Sequence, residues 1–237
     1  SIGDFTSAGS VTVNHVARWD GTRWRAIGLG FETVPGDLDV SPSGEVYISA
    51  GRISQTWIRT VYHWNGSAWQ DLCPDSSYWM DGKLAVDGSG RLYAIGRAIP
   101  GVPGTSISRV LHWNGSAWTA FASVDGYVNK MTADQNGRLF LQGYFGSVSG
   151  ALARNLVMWD GITWRDIAAP FDGPFTVDHE GNLLVSQAYE GKVASWDGSG
   201  WKQFTTQSFA ITSLAVDGEN NLFIGGAYFG GVPGTRD

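Results

Sequence analysis

Several things are scarce in this chain of 237 residues, and each scarcity excludes something. One cysteine, Cys73, rules out an intrachain disulfide and a thiolate metal cluster. Charged residues make up only 16%, against about 25% in ordinary domains. The net charge of −6 argues against a nucleic-acid surface, which needs concentrated positive charge. No apolar run approaches the ~18 residues of a membrane helix, so no membrane insertion is expected. Sustained helical periodicity is missing as well. The histidines are four, at His15, His63, His112 and His179, and their scatter gives no metal-ligand spacing. No Gly-x-Ser-x-Gly elbow, phosphate-binding loop or His-Glu-x-x-His helix occurs. Gly28-Leu29-Gly30 lacks the third glycine and the βαβ setting of a dinucleotide site. No catalytic residue, metal or cofactor is therefore assigned.

Two residue types are abundant instead: 33 glycines, about twice the usual ~7%, and 12 tryptophans. Ten tryptophans fall in pairs of the form Trp-Asp/Asn-Gly-x-x-Trp, at 19/24, 64/69, 113/118, 159/164 and 196/201. The first members lie 45, 49, 46 and 37 residues apart. A second motif keeps step, Val86-Asp87-Gly88-Ser89-Gly90-Arg91-Leu92-Tyr93, with relatives beginning at Val40, Ala133, Val177 and Val216. Both read as hairpins. Asp/Asn-Gly between β-formers is a strong hairpin signal, and Gly44, Gly90, Gly137, Gly181 and Asn220 share one turn position that favours a left-handed backbone.

Each repeat thus holds four short strands, a to d. Four-stranded units of this length repeated about an axis make a β-propeller. The expected fold is all-β: a single domain over 1–237, a five-bladed β-propeller of four-stranded antiparallel blades. Polar residues after the second tryptophan (Arg25, Gln70, Thr119, Arg165, Lys202) mark strand d as an outer edge. The chain starts late in a strand b, at Ile2-Gly3-Asp4-Phe5, and ends after a and b of the fifth copy. The expected closure pairs the C-terminal strands with N-terminal strands c and d. Ser1–His15 and Phe229–Asp237 look like the same b–c segment, an overlap expected of a piece of a longer repeat array.

These residues resemble a bacterial propeller-repeat family of secreted and surface proteins, read approximately as Gly-x-Phe-(loop)-Val-Ala-Arg-Trp-Asp-Gly-x-x-Trp. Phe5 through Gly28 is the copy nearest that pattern. The resemblance implies an extracellular or cell-surface location and carries no family-wide reaction. In blade number and size the chain also looks like the tachylectin-type five-bladed lectins, without shared motif residues.

Function is sought where the repeats differ. The a–b and c–d turns hardly change, whereas the b–c and d–a loops on the opposite face vary widely, and a rigid scaffold with one variable rim usually carries its function there. Trp57 and Trp79 are the only tryptophans outside the pairs, expected in a b–c loop and the next d–a loop, with Tyr78, Arg52 and Arg97 nearby. Aromatic rings beside arginine suit sugar stacking or a protein hot spot. The reading is a non-enzymatic, lectin-like module for glycans, with a protein-interaction unit of a larger surface protein as the alternative. A glycosidase ranks third, because the inner-strand acids Asp37 and Asp39 share one strand, and the loop acids Asp75, Asp81 and Asp172 are unspecified. The repeated Asp87, Asp134, Asp178 and Asp217 read as turn formers rather than calcium ligands.

Overall fold

The computed structural model describes residues 1–52, 55–74, 78–98, 108–188, 190–205 and 210–227; at 52, 55–58, 98 and 205 the description is of backbone alone. Every regular element among them is a strand. At the N-terminal end β1 (Ser7–Ala8) pairs with β2 (Val11–Thr12), and β3 (Ala17–Trp19) with β4 (Trp24–Ala26). Blade 1 is β5 (Asp37–Val40), β6 (Val46–Arg52), β7 (Gln55–Trp64) and β8 (Trp69–Asp71), antiparallel neighbours in chain order. Then come β9 (Tyr78–Val86), β10 (Leu92–Ala98), β11 (Ser108–Trp113) and β12 (Trp118–Ala133). After them run β13 (Leu139–Val148), β14 (Ala151–Leu152), β15 (Leu156–Trp159) and β16 (Trp164–Asp166). Blade 4 is β17 (Phe175–Val177), β18 (Leu183–Gln187), β19 (Lys192–Trp196) and β20 (Trp201–Thr205). β21 (Ala210–Val216) pairs with β22 (Leu222–Ala227).

The two repeated motifs form the two kinds of turn. In the tryptophan motif the Asp or Asn side chain accepts amide bonds from two and three residues on, as Asn65 Oδ1 does from Ser67 and Ala68 at 3.0 and 2.9 Å. The paired tryptophans then face each other across the hairpin, Trp64 opposite Trp69 with ring centroids 5.2 Å apart. In the other motif Asp87 Oδ1 caps the Ser89 and Arg91 amides, and its Oδ2 takes the Arg91 guanidinium at 2.6 Å. Asp134, Asp178 and Asp217 make the corresponding bonds to the residue four positions on, so these carboxylates serve the turn.

Consecutive blades pack face to face. Tyr47 and Val61 of blade 1 meet Leu84, Leu92 and Leu111, while Phe140 and Leu156 meet Phe175, Leu183 and Val185 of blade 4. Each such buried side chain contributes about 1.5–3 kcal/mol. In three of the five pairs the second tryptophan also reaches back a blade: the indole N–H groups of Trp69, Trp118 and Trp201 donate to the carbonyls of Ile27, Leu72 and Ile167. Those acceptors stand three residues after the previous blade's second tryptophan. On the constant face the turns are linked in series, Gly88 N–H to Asp134 O and the Arg138 guanidinium to Gly181 O. His179 continues the series to Asp217 and Asn220.

Two features differ from expectation. Blades 2 and 3 are not separate sheets, because β12 serves as strand d of one and strand a of the other. Thr119–Asp125 contains no glycine or proline, and the change of direction falls on bulges and on Gly126 (φ 138°), where a Cβ would overlap the Tyr144 carbonyl.

The expected closure between the chain's two ends is likewise not seen: β3–β4 and β21–β22 are separate two-stranded sheets among the described residues. Ile2 bridges Val16, and Ser1 and Ala17 exchange backbone bonds, so the N-terminal segment lies on the β3 edge where β22 was expected. Residues 228–237, the other half of the expected overlap, lie outside the described residues.

Candidate functional site

The innermost strands β5, β9, the second half of β12, β17 and β21 stand side by side, and their leading ends open on the variable-loop face. The expected site residues divide there. Arg52 and Trp57 are strand residues, on β6 and β7, and their side chains lie outside the described residues. Trp57 and Trp79 are thus on strands rather than in loops, since β7 begins at Gln55 and β9 at Tyr78. Tyr78 is half-buried against the core between blades 1 and 2. Trp79 is 39% exposed and lies directly opposite Arg97 in the β9–β10 pair.

Arg97 is the hinge of the arrangement. Its Nε contacts Asp81 Oδ2 at 2.7 Å, and its guanidinium lies 4.3 Å from the Tyr127 ring centre. Burial works against its charge, but hydrogen bonding with Tyr127 and Asp81 outweighs it and raises the pKa. Tyr127 in turn is paired with Tyr144 across β12–β13, and the two are 59% and 75% exposed. Trp79, Arg97, Tyr127 and Tyr144 therefore form a strip across the seam of blades 2 and 3.

Beside the strip, Asn129, Gln142, Gly143, Tyr144, Asn155 and Asp172 line one recess. Asn129 stands at a register shift in β12, Asn155 has a left-handed backbone (φ 53°), and Gln142 is fixed by its amide bond to Gly173 O at 2.7 Å. Tyr127, Tyr144, Asn129 and Asn155 were missed in the sequence, where tyrosine and asparagine are too ordinary to stand out. The usable signal was the lack of a turn before Gly126.

Asp37 and Asp39 are not free acids. Their carboxylates accept the Leu84 and Val86 amides of the next blade at 3.0 and 2.7 Å, and also the Leu38 and Val40 amides. Burial nevertheless raises both, Asp39 to about 6. Asp75 lies outside the described residues. Among the described residues no three His, Cys, Asp or Glu side chains are grouped to hold a metal.

No family model matches the chain, and no curated protein matches it in sequence. Solved structures do. YCF48 bound to a D1 peptide superposes with a TM-score of 0.56 at 15% identity, covering 87% of this chain and 67% of that one. The extracellular domain of the putative one-component system BT4673 from B. thetaiotaomicron gives 0.56 at 14% identity, covering 88% of this chain and 28% of that one. With the blade-by-blade packing above, these likenesses identify the fold as a β-propeller.

Proposed function

We propose that the chain is a non-enzymatic recognition module that binds carbohydrate on its variable-loop face. The observation carrying this reading is the exposed Tyr144 beside a recess of short polar side chains, Asn129, Asn155 and Asp172. Pyranose rings stack on such aromatic faces, and planar amides and carboxylates satisfy their hydroxyls. Commitment of Asp37 and Asp39 to backbone amides supports the non-enzymatic part. An extracellular or surface location belongs to the same reading. So does a fifth blade assembled from β3–β4 and β21–β22, once Ser1–Gly3 leave the β3 edge.

A glycan array with the full chain tests the reading, with Tyr144→Ala as the control variant. Binding that weakens at least tenfold in Y144A, with unchanged melting temperature, is expected of a ring so exposed. No glycan retained at millimolar concentration would overturn it. The second reading, a protein-interaction unit, is favoured by the YCF48 neighbour, which is recorded with a peptide bound. It requires Y144A to weaken capture of a protein ligand instead.

A further inference from the structure

Several aspartates of the chain are committed to its own fold. Asp87 and Asp134 hold their turns, Asp37 and Asp39 hold amides of the next blade, and Asp81 holds Arg97. Asp172 does none of this. It stands just before β17, exposed, with no hydrogen bond or ion pair among the described residues, and it lines the recess beside Tyr144.

That recess has a volume of about 60 Å³, and its other walls are Asn129, Gln142, Gly143, Tyr144 and Asn155. One water needs about 10–15 Å³, so there is room for one small substituent with its hydration and not for a whole pyranose. The side-chain amides of Asn129 and Asn155 are, like Asp172, without partners among the described residues. Gln142 gives its amide N–H to Gly173 O, which leaves its carbonyl oxygen as the group it can offer. Among the described residues no cationic side chain lines the recess. Lys130, which follows Asn129 in β12, donates to Phe175 O, and the carboxylate acting on it is Asp37. The two tyrosines of the strip differ in the same sense. Tyr127 already has the Arg97 guanidinium 4.3 Å from its ring centre, whereas exposed Tyr144 has no ring or cation against it among the described residues.

One carboxylate, several amide oxygens and an open aromatic face in a single small recess match one chemical group. An ammonium has three N–H donors and no acceptor, pairs with a carboxylate, and is drawn to aromatic faces. A ligand carboxylate would be repelled by Asp172. An acetamido group would leave the Asp172 charge unanswered, and its methyl would find no apolar side chain there besides Tyr144. We propose that the recess seats the ammonium group of an amino sugar, with Asp172 as counter-ion and the sugar ring against Tyr144, making the ligand a glycan with unacetylated glucosamine-type residues. The proposal rests on the carbohydrate reading and names the substrate class of that same site.

Calorimetric titration of the full chain with the β-1,4-linked glucosamine tetramer and with its N-acetylated counterpart tests this, at low ionic strength and pH 5.5 to keep the amine protonated. The free amine is expected to bind at least tenfold more tightly than the acetylated tetramer. Asp172→Asn, checked for a native circular-dichroism spectrum, is expected to remove most of that preference. Glu219→Gln removes the same charge from an exposed turn of the constant face and should leave the preference intact. Equal binding of the two tetramers, unchanged in D172N, overturns the ammonium seat while leaving the glycan reading standing. A preference reduced equally by D172N and E219Q overturns it as well, as attraction to net charge alone. Binding of neither tetramer, with another glycan retained on the array, overturns the amino sugar; with no glycan retained, the glycan reading falls too. Binding of an oligolysine peptide that D172N abolishes, without binding of the glucosamine tetramer, overturns the sugar in favour of a protein ligand.

Discussion

Asp39 holds one carboxylate oxygen 2.8 Å from the Val40 amide and the other 2.7 Å from that of Val86, joining two blades through a single side chain. Burial dominates those bonds and raises its pKa to about 6, from 3.8 when free. The folded protein therefore keeps this proton to higher pH than the unfolded chain does. The associated stability is present below pH 4 and is lost as pH rises through 6, a difference on the order of 3 kcal/mol. Asp39→Asn cannot titrate. Urea unfolding at pH 4.5 and 7 should show D39N gaining on the wild type as pH rises, and a constant difference would refute the buried-carboxylate account. Lys130 and Asp37 lie on the inner strands β12 and β5, so the comparison is best made against D39N alone rather than against a multiple variant.

At the scale of the element, the tryptophan hairpin does two jobs with two indoles. The first packs within the hairpin, and at Trp69, Trp118 and Trp201 the second docks its N–H on the preceding strands, as Trp118 does on Leu72 O at 3.2 Å. Trp118→Phe keeps most of the ring and loses that bond, so it should cost about 1–2 kcal/mol in urea unfolding. Trp24 has no complete blade before it and no indole hydrogen bond among the described residues, so Trp24→Phe should cost less than half as much. Equal losses would show that ring volume alone matters. These hairpins were the most legible part of the sequence, because Asx-Gly turns are local chemistry and recur five times. The bend in β12 was legible only in hindsight: Gly126 sits among β-formers, and whether such a run turns or continues depends on Tyr144 and Phe145 across the pair. The strip itself was half read. Trp79 stands out by lying outside the tryptophan pairs and Arg97 by its nearness to it, whereas Tyr127 and Tyr144 come together only through the register of β12 with β13.

For the whole molecule the register of the terminal strands is the feature that matters. Gln142 pairs with Leu156 in blade 3 as Ile2 bridges Val16, and both His15 and Asn155 have left-handed backbones. By this register Ser1 corresponds to Ile224, and Phe223 to Phe140, which pairs with Met158, the counterpart of Arg18. Phe140 is fully buried, whereas Phe223 is 57% exposed and Trp19 52% exposed, the exposure that the proposed fifth blade would remove. In a Cys73→Ser background, Arg18→Cys with Phe223→Cys should form an intrachain disulfide once residues 1–6 are deleted, and not in the full chain. Non-reducing electrophoresis reads the result; a disulfide in the full chain would mean that the N-terminal segment yields the β3 edge unaided. Elsewhere neighbouring blades are held by side-chain packing and scattered hydrogen bonds, which allow small sliding. Between blades 2 and 3 the chain of β12, bent at Gly126, joins the two blades in one sheet. Arg97 and Tyr127 both stand on that sheet, so their spacing is set before any ligand arrives. A ligand lying across them loses little entropy to blade motion, and selection can reshape the surrounding loops without loosening the floor on which they stand.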